Sequence, residues 1–350
     1  MTIQVTKEPI NLREKLNELE TNKGLKGNEI LQAETAQEVR SLIGAGRKNL
    51  IINGGFDVWQ RGTSFTTGFS ADRWELALSG GTATVTRQTF SVGQTDVPFN
   101  PNYFLRCSTS IGDDAARIEQ KIEGVAITSG QNITISFYAK GTNPGGGSFE
   151  IRLGQYFGTG GSAGISRAAS DNFTVTSSWQ KFTRTITVPS ISGKTLGVGN
   201  NLDVMFEQSW AIDTSTAAWE LDIANVQLEL GSVATDFEHR SYGEELALCQ
   251  RYYEKNTYGL LQTIMTNNYS TTQTKMPFMQ TKRVAPTFTV YSAASGTAGN
   301  VSSYTSAAYT AEKAIPVVVG GVDSYVLSIG SEVAGTIYNW HYSYTADAEL

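Results

Sequence analysis

The sequence predicts a mainly β protein with short N-terminal helices, a jelly-roll β-sandwich and a small C-terminal β-domain. Three observations carry this expectation. From Asn49 onward, apolar residues tend to recur at every second position, as in Gln131-Asn-Ile-Thr-Ile-Ser-Phe-Tyr-Ala139, the period of a strand with one buried face. The runs are short and are separated by turn residues, among them Pro144-Gly-Gly-Gly147, Gly158-Thr-Gly-Gly161 and Ser192-Gly193. Charged residues make up 17% of the 350-residue chain, while Ser and Thr are plentiful, which suits the solvated faces of antiparallel sheets better than exposed helices.

Residues 1–47 stand apart, with dense charge and no aromatic side chain. Pro9 suits a first helical turn, and Leu12, Leu16 and Leu19 follow at spacings of four and three, so they form one apolar seam. A helix of about 10 to 12 residues is marginal alone in water, so the seam is expected to meet sister copies or a docking partner. After Asn22-Lys-Gly-Leu-Lys-Gly27, a second helical pattern runs from Leu31 to Ile43 and stops at Gly44-Ala-Gly46. This helix, turn and helix form a candidate mounting segment.

Residues 48–240 read as the sandwich. Thr82–Phe90, Gln131–Ala139, Ser148–Leu153, Gln180–Val188 and Leu202–Phe206 are strand candidates, and about eight strands at this spacing predict two packed sheets. Ile133, Ile135 and Phe137 are expected to face the core, with Thr134 and Ser136 facing out. The apolar run after Asn49 opens the sandwich, and the alternation of Ile223, Val226, Leu228 and Leu230 closes it. Ser241-Tyr-Gly-Glu244 is a capping-box pattern, so a linker helix is expected within 241–256 that places Leu246, Cys249, Gln250 and Tyr253 on one side. Residues 257–350 return to strands, at Thr274–Met279, Thr287–Tyr291, Ile315–Val319, Val322–Ile329 and Gly335–Tyr344. Gly320-Gly321 predicts a hairpin turn, because both glycines tolerate positive φ.

The charge of -6 and pI near 5.2 argue against gripping a phosphate backbone, so nucleic acid is not an expected partner. Cys107 and Cys249 are too few for a disulfide framework in so long a chain. The N-terminus lacks the apolar core of a secretory signal, and no run approaches about 18 consecutive apolar residues, so no membrane span is expected.

Two segments carry a family resemblance. Asn49-Leu-Ile-Ile-Asn-Gly-Gly-Phe-Asp-Val-Trp-Gln-Arg-Gly62 with Ala71-Asp-Arg-Trp74, and Trp219-Glu-Leu-Asp-Ile-Ala-Asn-Val-Gln-Leu-Glu-Leu-Gly231, resemble the first and last strands of carbohydrate-binding-module-like jelly rolls, in the form seen in bacteriophage tail-fibre proteins. The two-helix start is similar to fibre N-termini mounted on a tail or adaptor protein. Glu244-Glu-Leu-Ala-Leu-Cys-Gln-Arg-Tyr-Tyr253 and the Ala346-Asp-Ala-Glu-Leu350 ending resemble fibres whose C-terminal region is a trimeric distal head. The resemblance thus implies a homotrimeric virion appendage, assembled in the host cytoplasm, that attaches to host surface polysaccharide. It also implies calcium as a candidate ion near the first and last strands, where Asp57 and Asn225 stand. Ala224-Asn225 replaces the paired Asp common in such modules, and no other cofactor is expected.

Catalysis is not expected. His239 and His341 are the two imidazoles that a nucleophile could use as a base, and both sit where a strand or its exit explains them. Asp113, Asp114 and Glu119 are the conspicuous acids near a loop, but the chain has no internal period of about 20 to 50 residues like that of a polysaccharide-cleaving solenoid. Gly158-Thr-Gly-Gly161 lacks the following helix that a dinucleotide loop requires. Sugar recognition instead uses aromatic faces. Trp59 and Trp74 are assigned to the core. Tyr156 and Phe157, together with Tyr304, Tyr309, Trp340, Tyr342 and Tyr344, are the candidate glycan-binding residues; residues 340, 342 and 344 share one strand face, which either binds ligand or packs against a sister copy. The expected function is multivalent, non-catalytic attachment, with a purely structural virion connector and a glycan-cleaving spike as the alternatives.

Overall fold

Two six-stranded antiparallel sheets face each other across one apolar core in the computed structural model. The structure describes residues 48–109, 116–143, 148–208, 218–264, 271–305, 308–315, 317–319, 321–330 and 337–350. Leu12, Leu16 and Leu19, with both expected N-terminal helices, lie outside the described residues, as do Asp113 and Asp114.

The strands are β1 (Ser64–Phe65), β2 (Gly68–Phe69), β3 (Glu75–Leu78), β4 (Ala83–Thr89), β5 (Tyr103–Thr109), β6 (Ala116–Glu123), β7 (Asn132–Thr142), β8 (Phe149–Tyr156), β9 (Ile165–Phe173), β10 (Gln180–Thr187), β11 (Asn201–Gln208) and β12 (Glu220–Leu230). The first sheet has the order β1-β4-β5-β12-β7-β10 and the second β2-β3-β6-β11-β8-β9. The chain crosses between sheets repeatedly, so each inward face must be apolar on alternate residues. Ile133, Ile135 and Phe137 of β7 meet Ile151 and Leu153 of β8 and Val204 and Phe206 of β11 in the same core. Trp74 is fully buried, with its ring 5.2 Å from Phe56 and 6.2 Å from Phe206. Full burial of each such side chain stabilises the fold by roughly 1.5–3 kcal/mol.

Three sandwich details differ from expectation. Thr134 and Ser136 point away from the core but are buried, because β7 lies between β12 and β10 and Thr134 Oγ1 donates to Gly231 O at 2.9 Å. The run at 49–53 joins no strand ladder. Leu50 N donates to Leu228 O, and side chains of Gln120, Glu238, Arg240 and Glu245 hold much of its remaining backbone, while the Asn49 side chain ties it to β12: its Oδ1 accepts from Ile51 N and Leu228 N at 3.0 Å each, and Nδ2 donates to Val226 O at 3.1 Å. Along β12 the alternation is broken by a bulge between Ala224 and Gln227, where Asn225 adopts φ 49°. The extra residue lets Ile223, Val226 and Leu228 all reach the core.

Helix α1 (Tyr242–Gln250) begins with the expected capping box: Ser241 Oγ accepts from Glu244 N, and Ser241 N donates to Glu244 Oε2 at 2.9 Å. Cys249 is buried, but Tyr253 is not part of the helical stripe, since it opens β13 (Tyr253–Ile264). There follow β14 (Thr271–Pro277), β15 (Thr287–Ser292), β16 (Asn300–Thr305), β17 (Ala308–Ala314), β18 (Val317–Val319), β19 (Ser324–Gly330) and β20 (Ile337–Asp347). One sheet runs β13-β20-β16-β17 with β15 also paired to β20, and a smaller one runs β14-β19-β18. The β18–β19 hairpin forms with Gly321 at φ 113°, but its loop is wider than a two-residue turn, because Val319 pairs with Tyr325.

The C-terminal strands are tied to the sandwich through charge and ring stacking. The Arg73 guanidinium lies 3.5 Å from the Tyr252 ring centre and pairs with Glu349, and that of Arg61 lies 3.5 Å from the Tyr253 ring centre and pairs with Asp347 and Glu349.

Candidate ligand-binding face

The outer surface of the second sheet follows from the same period of two that builds the core. Ile118 and Ile122, Leu202, Val204 and Phe206, and Phe149, Ile151 and Leu153 point inward. Their neighbours on β6, β11 and β8 therefore share the opposite face. Register places Lys121, Asp203 and Gly154 in one row and Glu119, Met205 and Arg152 in the next. Arg117, Glu207 and Glu150 form a third row, while Glu75 of β3 pairs with Glu119.

The cations on this face are committed to carboxylates. Arg117 Nε bonds Glu119 at 2.5 Å, Lys121 Nζ bonds Glu75 at 2.8 Å and lies 3.5 Å from Glu119, and Arg152 Nε lies 2.9 Å from Glu207. Arg167 pairs with Glu150 and Glu207. Asp203 is different: it is 2% exposed, and its Oδ1 has no hydrogen-bond partner. Burial, and then the Glu119 charge, push its carboxyl up to about 8 against the pull of Lys121 and Arg117. At neutral pH it is largely a protonated acid, which can donate as well as accept a hydrogen bond.

Gly154, directly across the ladder from Asp203, has a steric role. A Cβ there would lie 2.7 Å from Tyr156 Cε2 and 3.0 Å from Met205 Cε, and a Cβ on Gly164 would lie 2.8 Å from Tyr156 Cδ1. The half-buried Tyr156 ring is thus wedged between two glycines. Its hydroxyl is pushed up by burial and then by the charges of Asp203 and Glu119, which share its electrostatic environment. An open groove of about 540 Å³ continues from this ring past Thr159, Ser162 and Val198 to Arg283 and Leu350. A fixed aromatic ring at the mouth of a groove with hydroxyl side chains along it is suited to a polyhydroxylated ring with one apolar face.

Of the expected glycan-binding residues, Tyr156 alone has this placement among the described side chains. Phe157 also lines the groove but is 1% exposed, so it is wall and not platform. Trp340, Tyr342 and Tyr344 share one face of β20 as expected, but they are 2%, 1% and 2% exposed. They are neither a ligand strip nor a surface for a sister copy, because the β14-β19-β18 sheet covers them: Tyr342 OH lies 3.2 Å from Tyr325 OH, and Tyr344 donates to Glu254. Tyr304 and Tyr309 pair across β16 and β17, but their side chains lie outside the described residues. His341 is buried in β20, and His239 is exposed after the sandwich.

Asp57 and Asn225 do come together, lining one small cavity at the end of the sandwich, but the residues around them do not fit calcium. Arg240 shares the lining, and Glu245 is engaged by that guanidinium and by Asn53 N. Among the described residues, no group of three His, Cys, Asp or Glu could hold a metal ion.

Nothing local to Asn201–Gln208 marks Asp203 as a site residue. The signal was present in Arg117-Ile-Glu-Gln-Lys-Ile-Glu123, where charged residues take the alternate positions to the apolar ones, but one strand alone does not show which carboxyl is left over.

No family model matches the chain, and no curated protein matches it. Several solved structures are similar over about half of its length. The enzymatically active domain of bacteriophage CBA120 tailspike protein 4 is 18% identical, with 52% of this chain and 21% of that chain covered and a TM-score of 0.34. The CBM22-2 xylan-binding domain of Paenibacillus barcinonensis Xyn10C is 19% identical, with 48% and 99% covered and a TM-score of 0.30. A cyclase from Fischerella sp. TAU is 13% identical, with 54% and 100% covered and a TM-score of 0.37. This chain thus spans about a fifth of the tailspike domain, and at these TM-scores the likenesses carry no argument about function.

Proposed function

We propose that this chain is a virion appendage protein, a bacteriophage tail fibre, that holds host surface polysaccharide reversibly on the outer face of its second sheet without cleaving it. The observation that carries the binding reading is the Tyr156 ring, wedged by Gly154 and Gly164 at the mouth of the open groove. A ring already immobilised loses little entropy when a sugar stacks on it, and the hydroxyls of Thr159 and Ser162 along the groove can meet sugar hydroxyls. The virion assignment rests on the resemblance of Asn49–Gly62 and Trp219–Gly231 to tail-fibre jelly rolls. In this reading residues 1–47 mount the chain on the tail or an adaptor, residues 48–240 bind, and a homotrimer multiplies weak contacts. Three linked sites raise avidity by about a hundredfold or more when geometry allows simultaneous contact.

Burial of Trp340, Tyr342 and Tyr344 moves the proposed contact from the C-terminal strands to the sandwich, and it favours a structural role for residues 257–350. The test is retention of the full chain on immobilised host-surface polysaccharide, with reducing ends assayed in the same sample. The proposal expects retention that is lost in Tyr156→Ala and no release of reducing ends. Absence of retention favours the purely structural connector, and release of reducing ends favours a cleaving spike.

A further inference from the structure

The two segments that frame the sandwich meet at one end of it, around the β12 bulge. Val226 N donates to Gly54 O at 2.9 Å, and a Cβ at residue 54 would lie 2.1 Å from Val226 O, so the backbones touch there. Asn225, the bulge residue, takes φ 49°, and Phe99 and Asn100 take φ 68° and 46°. All three line the small cavity that also holds Asp57, Asn102, His239 and Arg240. Positive φ on residues other than glycine is strained, and its concentration around one cavity marks backbone bent to aim particular side chains.

The chemistry of the lining is specific. The cavity is about 30 Å³, which matches one hydroxyl-sized group. Asp57 hydrogen-bonds to Asn102, and Asn225 Nδ2 donates to Pro98 O at 3.3 Å. His239 Nδ1 lies 2.9 Å from Arg240 O, which makes that nitrogen the donor and leaves Nε2 as an acceptor in the neutral ring. The Arg240 side chain is 7% exposed, and its terminal nitrogens donate to Asn49 O at 2.7 Å and Ile51 O at 3.2 Å and pair with Glu238 and Glu245. Phe99, which also lines the cavity, is 54% exposed.

We infer that this cavity is a second ligand site, taking the hydroxyl edge of an uncharged monosaccharide ring whose apolar face rests on Phe99. The Asp57 carboxylate accepts from one sugar hydroxyl, and His239 Nε2 accepts from an adjacent one. Glu238 and Glu245 together outweigh the charge of Arg240, and Asp57 adds a further carboxylate, so the surroundings are net negative and a uronic acid is disfavoured. The site shares no residue with the Tyr156 face and does not depend on it.

Saturation-transfer NMR on the full chain tests this, carried out in the Tyr156→Ala background so that the other face is silenced. The probes are the methyl glycosides of glucose, galactose, mannose and N-acetylglucosamine, with methyl glucuronide as the charged control. At least one neutral glycoside is expected to receive saturation, with apparent affinity falling about tenfold in the added isosteric Asp57→Asn and in Phe99→Ser, a change at an exposed position. The inference is overturned if no neutral glycoside responds, if both added substitutions leave the response intact, or if methyl glucuronide binds as well as the neutral sugars.

Discussion

Asp203 on β11 stands directly opposite Gly154 on β8, and the side chain missing at 154 is what gives the Tyr156 ring its seat. Replacing Gly154 with Ala puts a methyl group 2.7 Å from Tyr156 Cε2, and the ring must swing away. Polysaccharide affinity is expected to fall about tenfold, a loss of about 1.4 kcal/mol, with little change in melting temperature, because the displaced atoms are the end of a half-buried side chain. Calorimetric titration of both proteins checks this.

Asp203 also makes stability depend on pH. Its carboxyl is raised from 3.8 to about 8 in the folded chain, so between those values the native state holds a proton that the unfolded state has lost. The sign follows: its contribution is greatest below about pH 4, declines as pH rises, and levels off above about pH 8. Asp203→Asn removes this dependence. Urea unfolding at about pH 5, 7 and 9 should show the variant gaining on the parent with each step. Parallel curves for the two proteins would mean that Asp203 titrates normally.

The junction between the sandwich and the C-terminal strands is predicted to be stiff. Arg73 and Glu349 pair with side chains that are 1% and 4% exposed. Removing one charge leaves the other buried, a cost of about 3–5 kcal/mol, so Glu349→Gln should lower the melting temperature strongly. Arg73→Met combined with Glu349→Gln should cost less than the sum of the two single changes.

Trp340 at 2% exposure belongs to the interior. Trp340→Ala should destabilise by about 3–5 kcal/mol through cavity formation, while molecules that remain folded bind polysaccharide as the parent does. Melting curves and titrations on the same samples separate the two effects.

Much of the sandwich was legible in the sequence because its inward faces keep the period of two. Ile133, Ile135 and Phe137 were placed from alternation alone and are buried. The capping box at Ser241 was equally local. What failed was long-range. An alternating aromatic strip such as Trp340, Tyr342 and Tyr344 reads the same whether a second sheet or solvent faces it, and here β14-β19-β18 covers it. Asn49 imitates strand pairing with its side chain, which apolar periodicity does not register. The three-residue step from Ile223 to Val226 was a readable sign of the bulge at Asn225. Asp203 became visible once register set it among cations already taken by Glu75, Glu119 and Glu207.

Ligand binding on the outer face of the second sheet should be centred on Tyr156. Hydrogen exchange of the full chain, with and without host-surface polysaccharide, tests it most directly. Slowed exchange is expected in β8 and β11, concentrated at residues 150–156 and 201–205, with no such slowing in Tyr156→Ala. Protection confined to residues 257–350, or the same protection in the variant, would contradict it.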